Sequence, residues 1–170
     1  MYGGAMEIRE FFIIAFSEDQ ALGEQSAEAA QHLTVLGYLR PRPNIVQELT
    51  ISEHVERIAL RRLELPGTKV KKLGRQMVTM LDDPTEELSS AKDELFAALM
   101  ADGYSCSRPD FYAGQYKPHV SMGPAMTSAG RQTSYRKLPS FELHSLSVTE
   151  SRFDLDYRFL GSELISTRSL

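Results

Sequence analysis

The short connections between strand-like segments constrain the fold of this chain more than any other feature of its sequence. Residues 8–16 and 32–39 are apolar runs rich in β-branched and aromatic residues, which predicts two buried strands. Several such segments lie too close in sequence for a helix to cross between them, so antiparallel pairing should dominate. A turn is predicted at Pro66-Gly67. The remaining predicted strands cover residues 58–65, 70–73, 76–81, 119–122, 141–149 and 157–165.

Two helices are predicted between the groups of strands, and residues 17–30, rich in Ala, Glu and Gln, are predicted to contain a third short helix or a turn. The clearer one covers residues 85–101, where apolar residues recur at helical spacing after capping residues at 82–85 and before Gly103. The weaker one covers residues 45–56, with Asn44 as its N-cap. Antiparallel strands interrupted by few helices predict an α+β architecture rather than a doubly wound parallel sheet.

The size and composition of the chain are those of an ordinary globular protein. Its 170 residues, 42% hydrophobic and 25% charged, predict a single domain over residues 1–170. The longest apolar stretch, residues 11–16, is far shorter than the roughly 20 residues of a membrane-spanning helix. Cys106 is the single cysteine, and no group of cysteines and histidines has the spacing of zinc ligands. We therefore expect a cytoplasmic protein that needs no membrane, metal or cofactor.

The charge of the chain is unevenly distributed. A net charge of −4 argues against a protein that coats long nucleic acids by bulk electrostatics. Positive residues nevertheless crowd the segment from 57 to 75. This segment is either a solvated strand face or a groove edge that meets a phosphodiester chain, and the sequence leaves both interpretations open. The positive residues are Arg57, Arg61, Arg62, Lys69, Lys71, Lys72 and Arg75.

Two short motifs share one pattern, a histidine, an apolar residue and a hydroxyl residue. The first is His-Leu-Thr at residues 32–34, and the second is His-Val-Ser at residues 119–121. Successive side chains of a strand alternate between faces, so the histidine and the hydroxyl of each motif point to the same side. An imidazole that exchanges a proton beside a hydroxyl that donates to a phosphate oxygen suits phosphate chemistry. The four candidate residues are His32, Thr34, His119 and Ser121.

The other two histidines provide an internal control, because neither repeats the pattern. His54 is followed two positions later by Glu56, an acid in the place of the hydroxyl. His144 is followed directly by Ser145, whose hydroxyl would point to the opposite face of a strand. We interpret both as structural or surface histidines.

The paired motifs resemble those of the two-histidine (2H) phosphoesterase superfamily, which includes 2′-5′ RNA ligase-like proteins and 2′,3′-cyclic nucleotide phosphodiesterases. The resemblance covers most of the chain: the apolar strand before the first motif, the helix before the second and the closing strand pair. The two histidines lie 87 positions apart, at residues 32 and 119. The resemblance implies a bilobal fold in which two mainly antiparallel sheets face a central cleft, with helices on the outside and one motif strand from each lobe.

The resemblance also implies a role for each motif residue. His32 and His119 would act as general base and general acid, and Thr34 and Ser121 would hold the phosphate. Ser121 stands where threonine is more usual in the family, which keeps the hydroxyl. The implied activity is that of a metal-independent phosphodiesterase for 2′,3′-cyclic phosphate ends, 2′-5′ linkages or small oligonucleotides. The alternative is a non-catalytic RNA-binding module that retains the cleft.

Aromatic and basic residues next to the motifs are candidates for substrate binding. Tyr112, Tyr116 and Lys117 precede the second motif, and Tyr38 follows the first. Such side chains stack on bases or contact phosphates. An exposed loop or an ordinary sheet aromatic explains them equally well. The expected partner is a small nucleotide, an oligonucleotide or an RNA end, and the oligomeric state stays open.

Overall fold

Ten strands and two helices make up the described part of the chain, residues 6–24, 31–108 and 116–170 of a computed structural model. The strands are β1 (Ile8–Phe16), β2 (Gly23–Glu24), β3 (His32–Pro41), β4 (Leu63–Leu73), β5 (Gln76–Leu81), β6 (Tyr104–Cys106), β7 (His119–Pro124), β8 (Ser140–Leu143), β9 (Ser145–Phe153) and β10 (Phe159–Ser169). The helices are α1 (Ile51–Arg57) and α2 (Glu87–Ala101). None of the helices in these ranges has the length and apolarity that crossing a membrane requires.

The strands pair antiparallel along one path, in the order β2-β10-β9-β1-β3-β7-β5-β4-β8, and β6 pairs with the end of β3. The path has two halves, which meet where β3 lies beside β7. At this junction the register contains one pair of residues, Leu33 and Val120. The predicted α+β class with mainly antiparallel strands is confirmed, and each motif strand belongs to a different half of the sheet.

The apolar core lies between the two helices and one face of the sheet. Val55 of α1 and Leu95 of α2 pack in the same buried cluster as Ile13, Leu33 and Val120 of the sheet. Fully burying such a side chain stabilises the fold by roughly 1.5–3 kcal/mol. Because the helices cover this face, the motif residues that alternate with Leu33 and Val120 belong to the opposite face of the sheet.

Helix α1 begins later than predicted. Its N-cap is Thr50, whose Oγ1 accepts a hydrogen bond from the backbone N–H of Glu53 at 3.1 Å. The Glu53 carboxylate accepts in return from the Thr50 N–H at 2.7 Å, which completes a capping box. The helix predicted over residues 45–50 is wrong, and Asn44 lies in a turn with a φ of 64°.

Helix α2 confirms the clearer of the two helix predictions, with a different start. It begins at Glu87, and Asp83 caps it from four residues upstream. The Asp83 carboxylate accepts from the backbone N–H of Leu88 at 3.4 Å and of Ser89 at 2.8 Å. These bonds satisfy N–H groups that the first turn of a helix leaves without partners.

The turn predicted at Pro66-Gly67 is wrong, because β4 continues through it and changes partner there. Residues 63–66 pair with β8, and Gly67 begins the pairing with β5. A Cβ atom on Gly67 would overlap the carbonyl oxygen of Leu138, so the glycine permits a close backbone approach. The strand predicted over residues 141–149 is divided at His144 into β8 and β9.

Candidate active site

The two motif strands are neighbours, although 87 positions separate their histidines in sequence. Leu33 of β3 pairs with Val120 of β7, and both side chains are 0% exposed. Each occupies the middle position of its motif. The histidine and the hydroxyl on either side therefore share the face that points away from the core, which we call the motif face.

The antiparallel register sets each histidine opposite the hydroxyl residue of the other motif. The registered pair is Leu33 with Val120. An antiparallel register continued one step to either side sets His32 opposite Ser121 and Thr34 opposite His119. Opposite residues of antiparallel strands have Cβ atoms about 4.5–5.5 Å apart, and diagonal neighbours are about 7–8 Å apart. The two histidines are diagonal neighbours, a separation that one phosphate between the imidazoles can bridge. The structure thus brings all four candidate residues together.

The partners of each imidazole define its orientation. Nδ1 of His119 lies 3.0 Å from the carbonyl oxygen of Lys117, and because a carbonyl only accepts, Nδ1 carries the proton. In the neutral imidazole, Nε2 of His119 is then the nitrogen without a proton. The His32 ring contacts Phe16, its cross-strand neighbour on β1, with ring centroids 6.0 Å apart. Both imidazoles are half-buried.

Tyr116 connects the segment before the second motif to the first motif strand. Its hydroxyl donates to the carbonyl oxygen of Thr34 at 3.0 Å, and its ring packs against the apolar core. The Nζ of Lys92 lies 5.1 Å from the centroid of this ring. Lys117 is exposed and holds His119 through its backbone carbonyl. Tyr112 lies outside the described residues.

Tyr38 lies farther along β3, at an irregularity of the strand. Its φ of 55° is a left-handed conformation, which costs a non-glycine residue of order 1–3 kcal/mol. Its ring meets the edge of Phe12 with centroids 5.0 Å apart, and the guanidinium of Arg108 lies 4.7 Å from its centroid. Phe12 is two positions from Ile14, the cross-strand partner of Thr34, so this aromatic pair belongs to the motif face.

A buried polar cluster on β1 was missed by sequence reasoning. Glu10 is 0% exposed, and its Oε1 accepts from Arg40 at 3.0 Å and from the Tyr157 hydroxyl at 2.5 Å. The hydrogen bond to Glu10, with burial as the second cause, raises the pKa of Tyr157. Oε2 of Glu10 has no hydrogen-bond partner among the residues that the structure describes. The sequence signal for this cluster is the position of Glu10, a charged residue within the otherwise mostly apolar run of β1.

The two remaining histidines, interpreted from the sequence as structural or surface residues, each lie beside a carboxylate outside the motifs. Nε2 of the buried His54 lies 2.7 Å from the carboxylate of Asp102, and that of His144 lies 3.1 Å from Asp19. The Asp102 carboxylate also accepts from the backbone N–H of Glu48 at 2.6 Å. This backbone bond first, and the bond to His54 second, lower the pKa of Asp102.

Metal-ligating side chains do not cluster in the described ranges: no three residues of the types His, Cys, Asp and Glu come together there as a candidate site for an ion.

Comparison with solved structures finds the same fold in phosphoesterases. A crystal structure of a phosphoesterase matches with a TM-score of 0.61 and 15% identity, over 95% of this chain and 98% of that one. LigT of E. coli complexed with NADP+ matches with a TM-score of 0.60 and 15% identity, over 95% and 97% of the two chains. LigT complexed with 3′-AMP matches with a TM-score of 0.56 and 16% identity, over 96% and 98%.

These matches confirm the fold that the resemblance to two-histidine phosphoesterases implies. No protein-family model matches the sequence, and no curated protein matches it significantly. The likeness to these structures is therefore one of fold, and it extends over nearly the whole chain.

Proposed function

We propose that this chain, which has the LigT-like phosphoesterase fold, is a phosphodiesterase whose two motif histidines perform acid–base catalysis on phosphodiesters of RNA type. The register between β3 and β7 is the observation that carries the proposal. Continued one step to either side, this register aligns His32 with Ser121 and Thr34 with His119 on the face of the sheet that the core leaves open, which supports a shared site. Two imidazoles and two hydroxyls around one point match the needs of phosphoryl transfer.

The proposed reaction on a 2′,3′-cyclic phosphate is a proton relay between the two histidines. One imidazole removes a proton from the attacking water as its oxygen bonds to phosphorus. The other donates a proton to the ribose oxygen as its bond to phosphorus breaks. The Lys117 carbonyl holds Nδ1 of His119 in both protonation states, so Nε2 serves either as the acceptor or as the donor of the proton.

The hydroxyls of Thr34 and Ser121 have a different task in this scheme. They donate hydrogen bonds to the non-bridging oxygens, where negative charge increases in the transition state. Each lies opposite a histidine in the register, so a phosphate bound between the imidazoles is within reach of both hydroxyls.

Small nucleotides and RNA ends are the proposed substrates. The LigT structures with NADP+ and with 3′-AMP have nucleotides bound to the same fold, which supports nucleotide ligands for this chain. The substrates to test are 2′,3′-cyclic nucleotides, RNA ending in a 2′,3′-cyclic phosphate and 2′-5′-linked oligoadenylate.

The test is turnover of these substrates by the purified protein in the presence of EDTA. We expect hydrolysis by the wild type, and losses of about 10²–10⁴-fold in His32→Ala and in His119→Ala. His144→Ala is the matched control, since that histidine pairs with Asp19 outside the motifs. Absence of turnover on every substrate, with RNA binding retained, would overturn the proposal in favour of a binding module.

A further inference from the structure

The β4–β5 hairpin carries lysines that form no ion pair with the residues that the structure describes. Lys69 and Lys71 lie on the part of β4 that pairs with β5. The two arginines just before β4 differ, because Arg61 pairs with Glu87 at 2.8 Å and Arg62 pairs with Glu142 at 3.4 Å. The basic segment of the sequence thus contains arginines held in ion pairs and lysines outside the ion pairs of the described residues.

Lys69 and Lys71 are aligned with the second motif. Lys69 is in register with His119, and Lys71 is in register with Ser121, with one residue of β5 between the members of each pair. Residues in register point to the same face of a sheet, so both lysines belong to the motif face. Adjacent strands are about 4.8 Å apart, which sets each lysine backbone about 10 Å from its motif residue.

A groove of about 430 Å³ begins beside the second motif and contains these lysines. Lys117 and Pro118 line its end next to His119, and Lys69 and Lys71 line the wall formed by β4. The opposite wall, at the start of α2, carries acidic residues and repels a phosphate. The acidic residues of that wall are Asp82, Asp83 and Glu86.

The lysine backbones lie about 10 Å from the motif residues across two strands, so one phosphate held between the imidazoles does not pair with both lysines as well. A ligand with several phosphates extends from the motif histidines to both lysines. The acidic wall repels its phosphates and confines the ligand to the β4 side of the groove. A mononucleotide with a single phosphate leaves at least one of these lysines without a phosphate contact.

We infer that the substrate is an oligonucleotide whose chain runs from the scissile phosphate across β7, β5 and β4, over Lys69 and Lys71. The inference rests on the proposed function, because the position of the scissile phosphate comes from it. Lys117 would contact the chain nearest to His119. The recognised chemistry is the phosphodiester backbone of single-stranded RNA, independent of base sequence.

The test measures binding of a fluorescent ten-nucleotide RNA by anisotropy at several salt concentrations. The protein carries His32→Ala and His119→Ala, so the RNA is not consumed. Adding Lys69→Gln and Lys71→Gln should weaken binding about tenfold or more at low salt. Two lost phosphate contacts should also reduce the slope of log affinity against log salt by about 1.4, at roughly 0.7 per contact on single strands.

The matched control changes the same number of charges at the paired arginines, Arg61→Gln with Arg62→Gln. We expect this variant to bind RNA nearly as the parent does, because its arginines are neutralised by Glu87 and Glu142. Equal losses in the two double variants would reduce the effect to bulk charge and overturn the inference.

Turnover separates this inference from the proposed function. In proteins with intact histidines, the ratio of kcat/KM for RNA with a cyclic phosphate end to that for a 2′,3′-cyclic nucleotide should fall with Lys69→Gln and Lys71→Gln. Turnover of the cyclic nucleotide with no lysine-dependent RNA binding would overturn the inference and leave the proposed function intact. Lysine-dependent binding without turnover of any substrate would overturn the proposed function and support the RNA path.

Discussion

Leu33 and Val120 face each other at the junction between the two halves of the sheet, and neither side chain has any exposed surface. Theirs is the one registered pair between β3 and β7 in the described part of the chain. In each motif this apolar residue stands between the histidine and the hydroxyl. The packing that joins the two halves therefore also sets the spacing between His32 and His119.

Leu33→Ala should impair both stability and catalysis. Removing a fully buried leucine side chain costs about 2–5 kcal/mol of unfolding free energy, measured by urea denaturation. We also expect kcat to fall about 10²-fold under conditions where the variant stays folded, because displacements of about 1 Å at reacting groups have effects of that size.

Leu143→Ala is the control for this prediction. Leu143 is equally buried but lies on β8, at the far end of the second half of the sheet. Its loss should lower stability by a similar amount with little change in kcat. A comparable fall of kcat in both variants would show that the Leu33–Val120 pair has no special role in spacing the histidines.

The hydroxyls of the motifs should contribute less than the histidines. Thr34→Val keeps the shape of the side chain and removes the hydroxyl, so we expect kcat to fall roughly tenfold, the value of one hydrogen bond of about 1–1.5 kcal/mol. Thr34→Ser retains the hydroxyl and should stay within about threefold of the wild type by the same reasoning. Steady-state kinetics on a 2′,3′-cyclic nucleotide measure both effects. Equal losses of kcat in Thr34→Val and Thr34→Ser would contradict a contact between the hydroxyl and the phosphate.

Tyr116 should act as a positioning residue. Tyr116→Phe removes the hydroxyl that donates to the Thr34 carbonyl, at a cost of about 1 kcal/mol in stability. Because this bond holds the first motif strand, we expect kcat to fall about five- to tenfold with KM nearly constant. A fall in kcat/KM due to KM alone would instead place the ring in ground-state substrate binding.

The control for Tyr116 is a second tyrosine with the same kind of bond. The hydroxyl of Tyr104 donates to the carbonyl oxygen of Leu49 at 2.6 Å, away from the motifs. Tyr104→Phe should lose similar stability and retain kcat, and an equal kinetic loss would mean that Tyr116 acts only through the general stability of the fold.

Asp102 should make the free energy of unfolding depend on pH in the acid range. Its pKa is lowered in the folded state by the N–H of Glu48 and by His54, so its stabilising effect is complete above the unfolded pKa. The effect is lost as the pH falls through the lower folded pKa. In urea unfolding between pH 7 and pH 3, the difference between wild type and Asp102→Asn should shrink towards acid, and the exposed Asp156→Asn should show no such trend.

The strands that carry the motifs were predictable from local pattern. Alternation assigns the histidine and the hydroxyl of each motif to one face, and the apolar runs place β1 and β3 to within two residues. The pairing of Leu33 with Val120 is different in kind, because it joins residues far apart in sequence. No periodicity within either segment specifies which strand becomes its neighbour.

The missed elements had specific causes. The start of α1 was misplaced because Asn44 resembles an N-cap, while the reciprocal bonds of Thr50 and Glu53 decide the boundary. Pro66-Gly67 has the composition of a turn, but the approach of Leu138 to Gly67 keeps β4 continuous. In both places a contact outside the local pattern determines the backbone.

The polar cluster of Glu10 should be visible in the titration of Tyr157. The hydrogen bond from the Tyr157 hydroxyl to Glu10 is the main cause of its raised pKa, since the bond favours the protonated phenol and the nearby carboxylate opposes a phenolate. Glu10→Gln keeps the shape of the side chain and removes the charge, so the pKa of Tyr157 should move back towards its ordinary value. Tyrosine Cζ resonances, assigned with Tyr157→Phe, measure this directly between pH 8 and pH 12, and Arg9→Gln, an exposed neighbour on β1, is the control. Identical titration of Tyr157 in wild type and Glu10→Gln would mean that burial, and not the carboxylate, controls this tyrosine.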